Sequence, residues 1–284
     1  MKDAAYAKIN LSLDITGRRA DGYHTLRTVM QSISLCDTVT LLEGNAGEIE
    51  VTCSGGAPCG KGNTVYRAAE EFFRSTGKKG GVSFRIEKRI PAQAGLGGGS
   101  ADTAAALRLL NRRFQAGLSA ENLRDIGFQA GADVPFCVEG GTALAEGIGE
   151  KLTVLSPLPE CWIAVCKPPE GISTREAYAA FDARGRTETG SGSTERLLAA
   201  LKIGSLPAAA AGLGNAFEAG NVPESVRAIK ARMVSAGALG ACMTGSGSAV
   251  FGLFGREAEA RQCTDSLRSL FPQSFLCRPI RSYG

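Results

Sequence analysis

Gly95, Gly97, Gly98 and Gly99 stand between a strand-like stretch and a helix-like one. Before them, VSFRIEKRI (82–90) alternates apolar and polar residues with the period of a strand. After them, Ala104, Leu107, Leu110 and Phe114 are spaced three, three and four, the rhythm of a helix that Ser100 is expected to begin. A glycine run in that position can be a flexible turn. Flowing straight into a helix, it also lets backbone N–H groups converge on an anion with no Cβ in the way, and the helix N-terminus adds a favourable dipole. Ser100 is placed to bond a phosphate oxygen or to approach a magnesium ion. The run is neither GxxxxGK[ST] nor GxGxxG. Gly55–Lys61 does match GxxxxGK, but Gly62 follows, Pro58 and Cys59 lie inside, and no buried strand leads in. It reads as a surface loop. A second glycine-rich turn, Thr244–Ser248, precedes the strand Ala249–Phe254 and reads equally well as a hairpin turn.

Residues 5–15, AYAKINLSLDI, alternate strictly. Ile9, Leu11, Leu13 and Ile15 fall on one face, and Lys8, Asn10, Ser12 and Asp14 on the other, the pattern of a half-buried strand. GRRADGYHTL follows as a turn or loop around Asp21-Gly22. Residues 26–42 read as strand with Asp37 in a turn, Glu48–Thr52 as a short strand, and Asn63–Ser75 as a helix capped by Asn63 or Thr64. Ser119–Gln129 reads as a second capped helix, GADVPF as a loop, and Cys137–Glu146 and Lys151–Leu155 as strands. LSPLPE (155–160) is the expected boundary. Beyond it come a buried strand (162–168), helices at Thr174–Phe181 and Thr194–Leu201 joined by the linker-like RGRTETGSGS, and an amphipathic helix with Val226, Ile229, Met233 and Val234 inward. A helix over Glu257–Leu270 and a strand near 275–280 end the chain. This order predicts an α+β fold in two lobes, 1–155 and 156–284.

The 284 residues carry a net charge of +4, which suits a small anionic ligand and falls short of the basic stripe of a nucleic-acid-binding domain. Nine cysteines, an odd number without CxxC, and a single histidine make no zinc-site spacing, so buried, reduced thiols in a cytosolic protein are expected. The start shows no apolar signal region, since Lys8 and Asp14 interrupt it. Met233–Gly255 has no charge and could span a membrane by length alone, but GSGS breaks it.

PAQAGLGGGSADTAAAL resembles the phosphate-binding motif of the GHMP kinase superfamily, which includes galactokinase, homoserine kinase and mevalonate kinase. AYAKINLSLDITGRRADGYH and MTGSGSAVFGLF resemble its first and third motifs. The combination with GADVPF and AEGIGEKL is similar to one branch, whose substrate carries a cytidine diphosphate on a methylerythritol. The resemblance implies a two-lobed kinase with a ligand cleft between the lobes. It implies ATP with Mg2+ as phosphoryl donor, no dedicated protein metal site, and a product phosphorylated on the 2-hydroxyl.

It also implies residue roles. Asp133 would be the general base and Lys8 the neighbouring cation, although from the residues alone Asp133 could be a cap and Lys8 merely solvated. Pro91, Ala92, Gln93, Ala94, Gly95, Leu96, Gly97, Gly98, Gly99, Ser100 and Ala101 would hold ATP, with Asn63 at the adenine or only capping its helix. Tyr23 and Tyr178 would sandwich the cytosine, His24 would read its edge, and Asn10 and Thr174 would touch the rest of the substrate. Three other readings remain at this point. They are a homoserine or mevalonate type of kinase, a nucleotide sensor without catalysis, and an RNA-binding module. Gly22-Tyr23-His24 disfavours the first, the Lys8/Asp133 pair the second, and the charge distribution the third.

Overall fold

The computed structural model describes residues 1–56, 58–185, 192–220 and 222–281. In chain order these form β1 (Lys2–Arg18), β2 (His24–Glu43), β3 (Ile49–Cys53), α1 (Thr64–Thr76), β4 (Val82–Glu87), α2 (Gly98–Arg113), α3 (Ala120–Phe128) and α4 (Val134–Glu139). There follow β5 (Thr142–Gly147), β6 (Lys151–Val154), β7 (Trp162–Cys166), α5 (Thr174–Asp182), α6 (Ser193–Lys202), α7 (Leu206–Ala211) and β8 (Gly214–Asn215). The last elements are α8 (Glu224–Ser235), β9 (Gly240–Met243), β10 (Val250–Phe254), α9 (Glu257–Arg268) and β11 (Ser274–Cys277). The fold is α+β. Two compact units interleave along the sequence, one holding residues 1–7, 35–92 and 97–140, the other 8–34, 93–96 and everything from 141. A single division after residue 155 does not reproduce them, because β1 and β2, at 17 and 20 residues, each contribute to both.

In the first unit, β4 pairs antiparallel with the end of β2 and parallel with β3. Val82, Phe84 and Ile86 turn inward on β4, as its alternation predicts. Helix α1 buries Val65, Ala68, Ala69 and Phe72. Helix α2 packs against α1, α3 and α4 and is buried almost all round. Its alanines at 101, 104, 105 and 106 permit that close approach, since a side chain no longer than Cβ keeps helix axes near each other. Helix α3 starts with a capping box between Ser119 and Asn122.

In the second unit, β5 pairs antiparallel with the start of β2 and forms a hairpin with β6, while β8 pairs parallel with β1. A separate antiparallel sheet runs β11-β7-β10-β9. Leu13, Ile15, Phe181, Phe217, Ile229 and Phe254 anchor its core.

The structure departs from the sequence reading in several places. The turn between β1 and β2 is confined to residues 19–23, closed by Arg19 N–H donating to Tyr23 O at 2.7 Å. Asp37 lies inside β2 and is fully buried, because it finds polar partners there. Helix α2 begins at Gly98, with Gly97 as its cap, two residues before Ser100. GADVPF is not a loop: its last residues begin α4, with a proline in the first turn, where a missing N–H costs nothing. Val234 is 56% exposed. Of the linker-like RGRTETGSGS, residues 186–191 lie outside the described residues. Among the described residues no helix is long and apolar enough to cross a membrane, and Met233–Gly255 is divided among α8, β9 and β10. Six cysteines are buried, Cys36 and Cys53 are half-buried, and Cys59 is exposed.

Candidate active site

The polar face of β1 is buried along with its apolar face. Lys8 is only 4% exposed and Asn10 2%. Unpaired polar groups there would be costly, so each one has a partner. Lys8 Nζ donates to Asn10 Oδ1 at 2.8 Å, and Asn10 Nδ2 donates to Thr28 Oγ1 at 2.8 Å. The backbone N–H of Asn10 donates to Thr244 Oγ1 at 2.9 Å, and Thr244 Oγ1 donates to Gly95 O at 3.2 Å. Further along the strand, Ser12 Oγ lies 2.9 Å from Thr194 Oγ1. Asp14 accepts from Ser193 Oγ and from the N–H of Thr194, both at 3.0 Å. A ladder of side chains therefore fixes Lys8, and through Asn10 and Thr244 it reaches the glycine-rich stretch.

That stretch needs its glycines for two separable reasons. Gly95 and Gly97 have φ of +72° and +68°, in the left-handed region. Gly95 also packs so tightly that a Cβ there would lie 2.1 Å from Thr244 O. Gly98 has no such φ; a Cβ on it would meet Ile90 at 3.1 Å and Lys88 Nζ at 3.4 Å. No side chain caps α2, so its first N–H groups are not spent on a cap. Such a terminus fits an anionic group. Asn215 Nδ2 holds the Thr244–Ser248 turn by donating to Met243 O and Gly245 O, each at 2.8 Å. Thr174, first residue of α5, lies against the same turn, its Oγ1 3.1 Å from Ser246 Oγ.

Asp133 occupies the cap position of α4 but makes no side-chain cap bond. Asn63 does cap its helix: Oδ1 accepts from Val65 N–H at 2.9 Å, and Nδ2 donates to Pro58 O at 2.7 Å. The sequence left cap and adenine contact open for Asn63, and in this structure the amide is engaged in the cap.

The aromatic residues are arranged differently from the expected sandwich. Tyr23 is 64% exposed. Tyr178 carries the His24 imidazole on its face, with centroids 4.7 Å apart and planes 15° from parallel, and its ring meets Phe217 edge-on at 5.0 Å. His24 Nε2 is 2.7 Å from Asp182 Oδ1, and Arg18 pairs with the other oxygen at 3.5 Å. Asp182 was not expected from the sequence. The available signal was its spacing of four from Tyr178, which puts both on one side of α5.

Also unforeseen was a charged cluster in the first unit. Lys88 Nζ donates to Asp102 Oδ2 at 2.6 Å and to Asp37 Oδ2. Burial opposes the charge on Lys88, and the two carboxylates outweigh it, so its pKa lies above the usual lysine value. Burial pushes the Asp102 carboxyl up to about 7, although Lys88 pulls it down. Among the described residues no group of three His, Cys, Asp or Glu side chains could hold a metal ion.

The comparisons with known proteins agree with this architecture. The models for the GHMP kinases N terminal domain and GHMP kinases C terminal match residues 63–141 and 197–273. The 4-diphosphocytidyl-2-C-methyl-D-erythritol kinase of Pelotomaculum thermopropionicum is 45% identical over 278 residues, covering 96% of each chain. The chain belongs to this family of GHMP kinases. The enzyme of the same name from Moorella thermoacetica is 43% identical, covering 97% of this chain and 98% of that one. A crystal structure of 4-(cytidine 5'-diphospho)-2C-methyl-D-erythritol kinase superposes with a TM-score of 0.83 at 33% identity, covering both chains completely. A homoserine kinase from Cytophaga hutchinsonii, at 19% identity and a TM-score of 0.74, covers 97% of this chain and 95% of its own and shares the GHMP kinase fold alone.

Proposed function

We infer that this GHMP kinase transfers the γ-phosphoryl group of ATP to the 2-hydroxyl of 4-diphosphocytidyl-2-C-methyl-D-erythritol, releasing ADP and the 2-phosphate. The observation that carries the reading is the buried Lys8–Asn10–Thr244–Gly95 ladder, which fixes a cation and the glycine-rich stretch in one hydrogen-bonded network. Phosphoryl transfer needs little covalent help from a protein; it needs positioning and charge neutralisation. Residues Pro91–Ala101 receive the phosphates, with the glycine backbone and the uncapped start of α2 as N–H donors. Mg2+ arrives with ATP and neutralises phosphate charge. Asp133 accepts the proton of the 2-hydroxyl, and Lys8 offsets the charge that develops on that oxygen. Asn63 maintains the α1 terminus on the adenine side.

On the alcohol side, Tyr23 offers an exposed ring on which a cytosine can stack. His24 reads the base while Asp182 holds one of its nitrogens and Tyr178 supports its ring. Asn10 and Thr174 contact the remainder of the substrate. The homoserine and mevalonate readings give Tyr23 and His24 nothing to recognise. A coupled assay of ADP release tests the choice: 4-diphosphocytidyl-2-C-methyl-D-erythritol is turned over, and homoserine and mevalonate are not. Turnover of either small alcohol at a comparable kcat/KM overturns the assignment.

A further inference from the structure

Two carboxylates and one ammonium are enclosed together at the first turn of α2. Lys88 Nζ bonds both Asp37 and Asp102, and Asp37 Oδ1 accepts from the backbone N–H groups of Arg89 and Ile90, the latter at 2.8 Å. Those two amides immediately precede Pro91, where the glycine-rich stretch opens. At the start of the helix, a Cβ on Gly98 would stand 3.4 Å from the same Nζ. The cluster thus adjoins both the entrance to the stretch and the helix turn that ends it. Asp102 is 3% exposed, and among the described residues its Oδ1 is the buried side-chain polar atom with no hydrogen-bond partner. An ionised carboxylate left in that state is expensive; a protonated one places a hydroxyl there.

We propose that Asp102 is a positioning residue that tunes nucleotide binding through its proton. Neutral, it leaves Lys88 in a single ion pair with Asp37; ionised, it adds an uncompensated negative charge beneath the helix turn that receives the ATP phosphates. The proposal rests on the reading of Pro91–Ala101 as the phosphate loop. Three titratable groups face Asp102: Lys88 after β4, Asp37 from β2 and the Cys53 thiol from β3. Burial pushes Cys53 up to about 11, so it stays neutral and leaves the balance to the other two. A polyphosphate arriving at this helix turn repels an anionic Asp102 and favours its protonated form. ATP binding therefore takes up a proton. Starting near 7 in the free enzyme, a rise of about one unit on ATP binding would make that binding, by linkage, about fivefold weaker at pH 8 than at pH 6 from this group alone.

The test compares the unmodified enzyme with Asp102→Asn, which keeps the shape and cannot ionise. MgATP affinity is measured by calorimetry from pH 6 to 8, in pairs of buffers with different ionisation enthalpies. The ratio of the two dissociation constants should change about fivefold across that range, and the unmodified enzyme alone should take up a fraction of a proton at pH 7.5. Parallel pH profiles with ATP bound by both proteins overturn the role of Asp102 and leave the phosphate loop standing. Absence of proton uptake by the unmodified enzyme overturns it without need of the variant. Failure of the unmodified enzyme to bind ATP at any pH removes the loop reading, and this inference with it.

Discussion

The ladder on β1 and the cluster at α2 are both buried and polar, yet they differ in how their polar atoms are satisfied. Lys8 Nζ donates to the amide oxygen of Asn10, whose other groups bond Thr28 and Thr244. Lys88 rests on two carboxylates, and one oxygen of Asp102 has no partner. In the first network each of these groups has a hydrogen-bond partner. The second carries more negative charge than its cation can neutralise, so burial forces a proton into it.

The largest expected effect comes from the proposed general base, which takes no part in the Lys8–Asn10–Thr244–Gly95 hydrogen bonds. Asp133→Asn removes the proton acceptor, and kcat should fall about 10²–10⁴-fold in steady-state assays with ATP affinity nearly unchanged. Turnover at the parent rate removes Asp133 from the mechanism. Taking the cation out of the other network should act on stability. Lys88→Met leaves Asp37 and Asp102 buried without their counter-ion, and urea unfolding at pH 8 should show a loss of about 3–5 kcal/mol, smaller at pH 5 where protons replace the lysine. An equal loss at both pH values would mean that packing, and not charge, holds that cluster.

A smaller effect probes the point where the ladder meets the glycines. Gly95→Ala sets a Cβ against Thr244 O and occupies a left-handed φ. Strain of about 1–3 kcal/mol should appear in thermal unfolding, accompanied by weaker ATP binding. Unchanged ATP affinity would separate the loop from the ladder. A further effect concerns pH. Asp102 is raised to about 7 in the fold from an ordinary carboxylate value when unfolded. The folded state therefore binds that proton more tightly. The stability it contributes is complete below the unfolded pKa and is lost as pH rises through about 7. Asp102→Asn should flatten that part of the stability curve; a curve that keeps its slope assigns the titration to another group.

Much of the scaffold was legible because it is local. The alternation of residues 5–15, the Ser119 capping box and the Asn63 cap depend on neighbours a few residues away, and so did the glycine run before α2. What escaped depends on partners far along the chain. Asp37 looked like a turn residue because Lys88 and Asp102, its reasons for lying in a strand, are 51 residues on in one case and further in the other. Lys8 could be read as merely solvated because period-2 patterning reports polarity and not burial. The Thr244 turn was visible, but its bond to Asn10, 234 residues away, leaves no local trace. His24 was expected to meet a base directly; its commitment to Asp182 and Tyr178 required α5 to be brought to β2.

The interleaving of the two units along the sequence bears on how this enzyme can be recombined with its relatives. A crossover after residue 155 would look natural, since it separates the two matched family segments. It would, however, transplant the whole of one unit together with the residues of the other that precede it, including Lys8–Ser34 and Gln93–Leu96. Asn10 would then meet a Thr244 turn from a different parent, and a mismatch at that hydrogen bond would be buried. Viable chimeras should instead carry residues 8–34, 93–96 and the segment from 141 from one parent, which demands several crossovers within strands and inside the glycine-rich stretch itself. In a recombination library the surviving clones should be enriched for co-inheritance of Asn10 with Thr244, and depleted in single exchanges near residue 155.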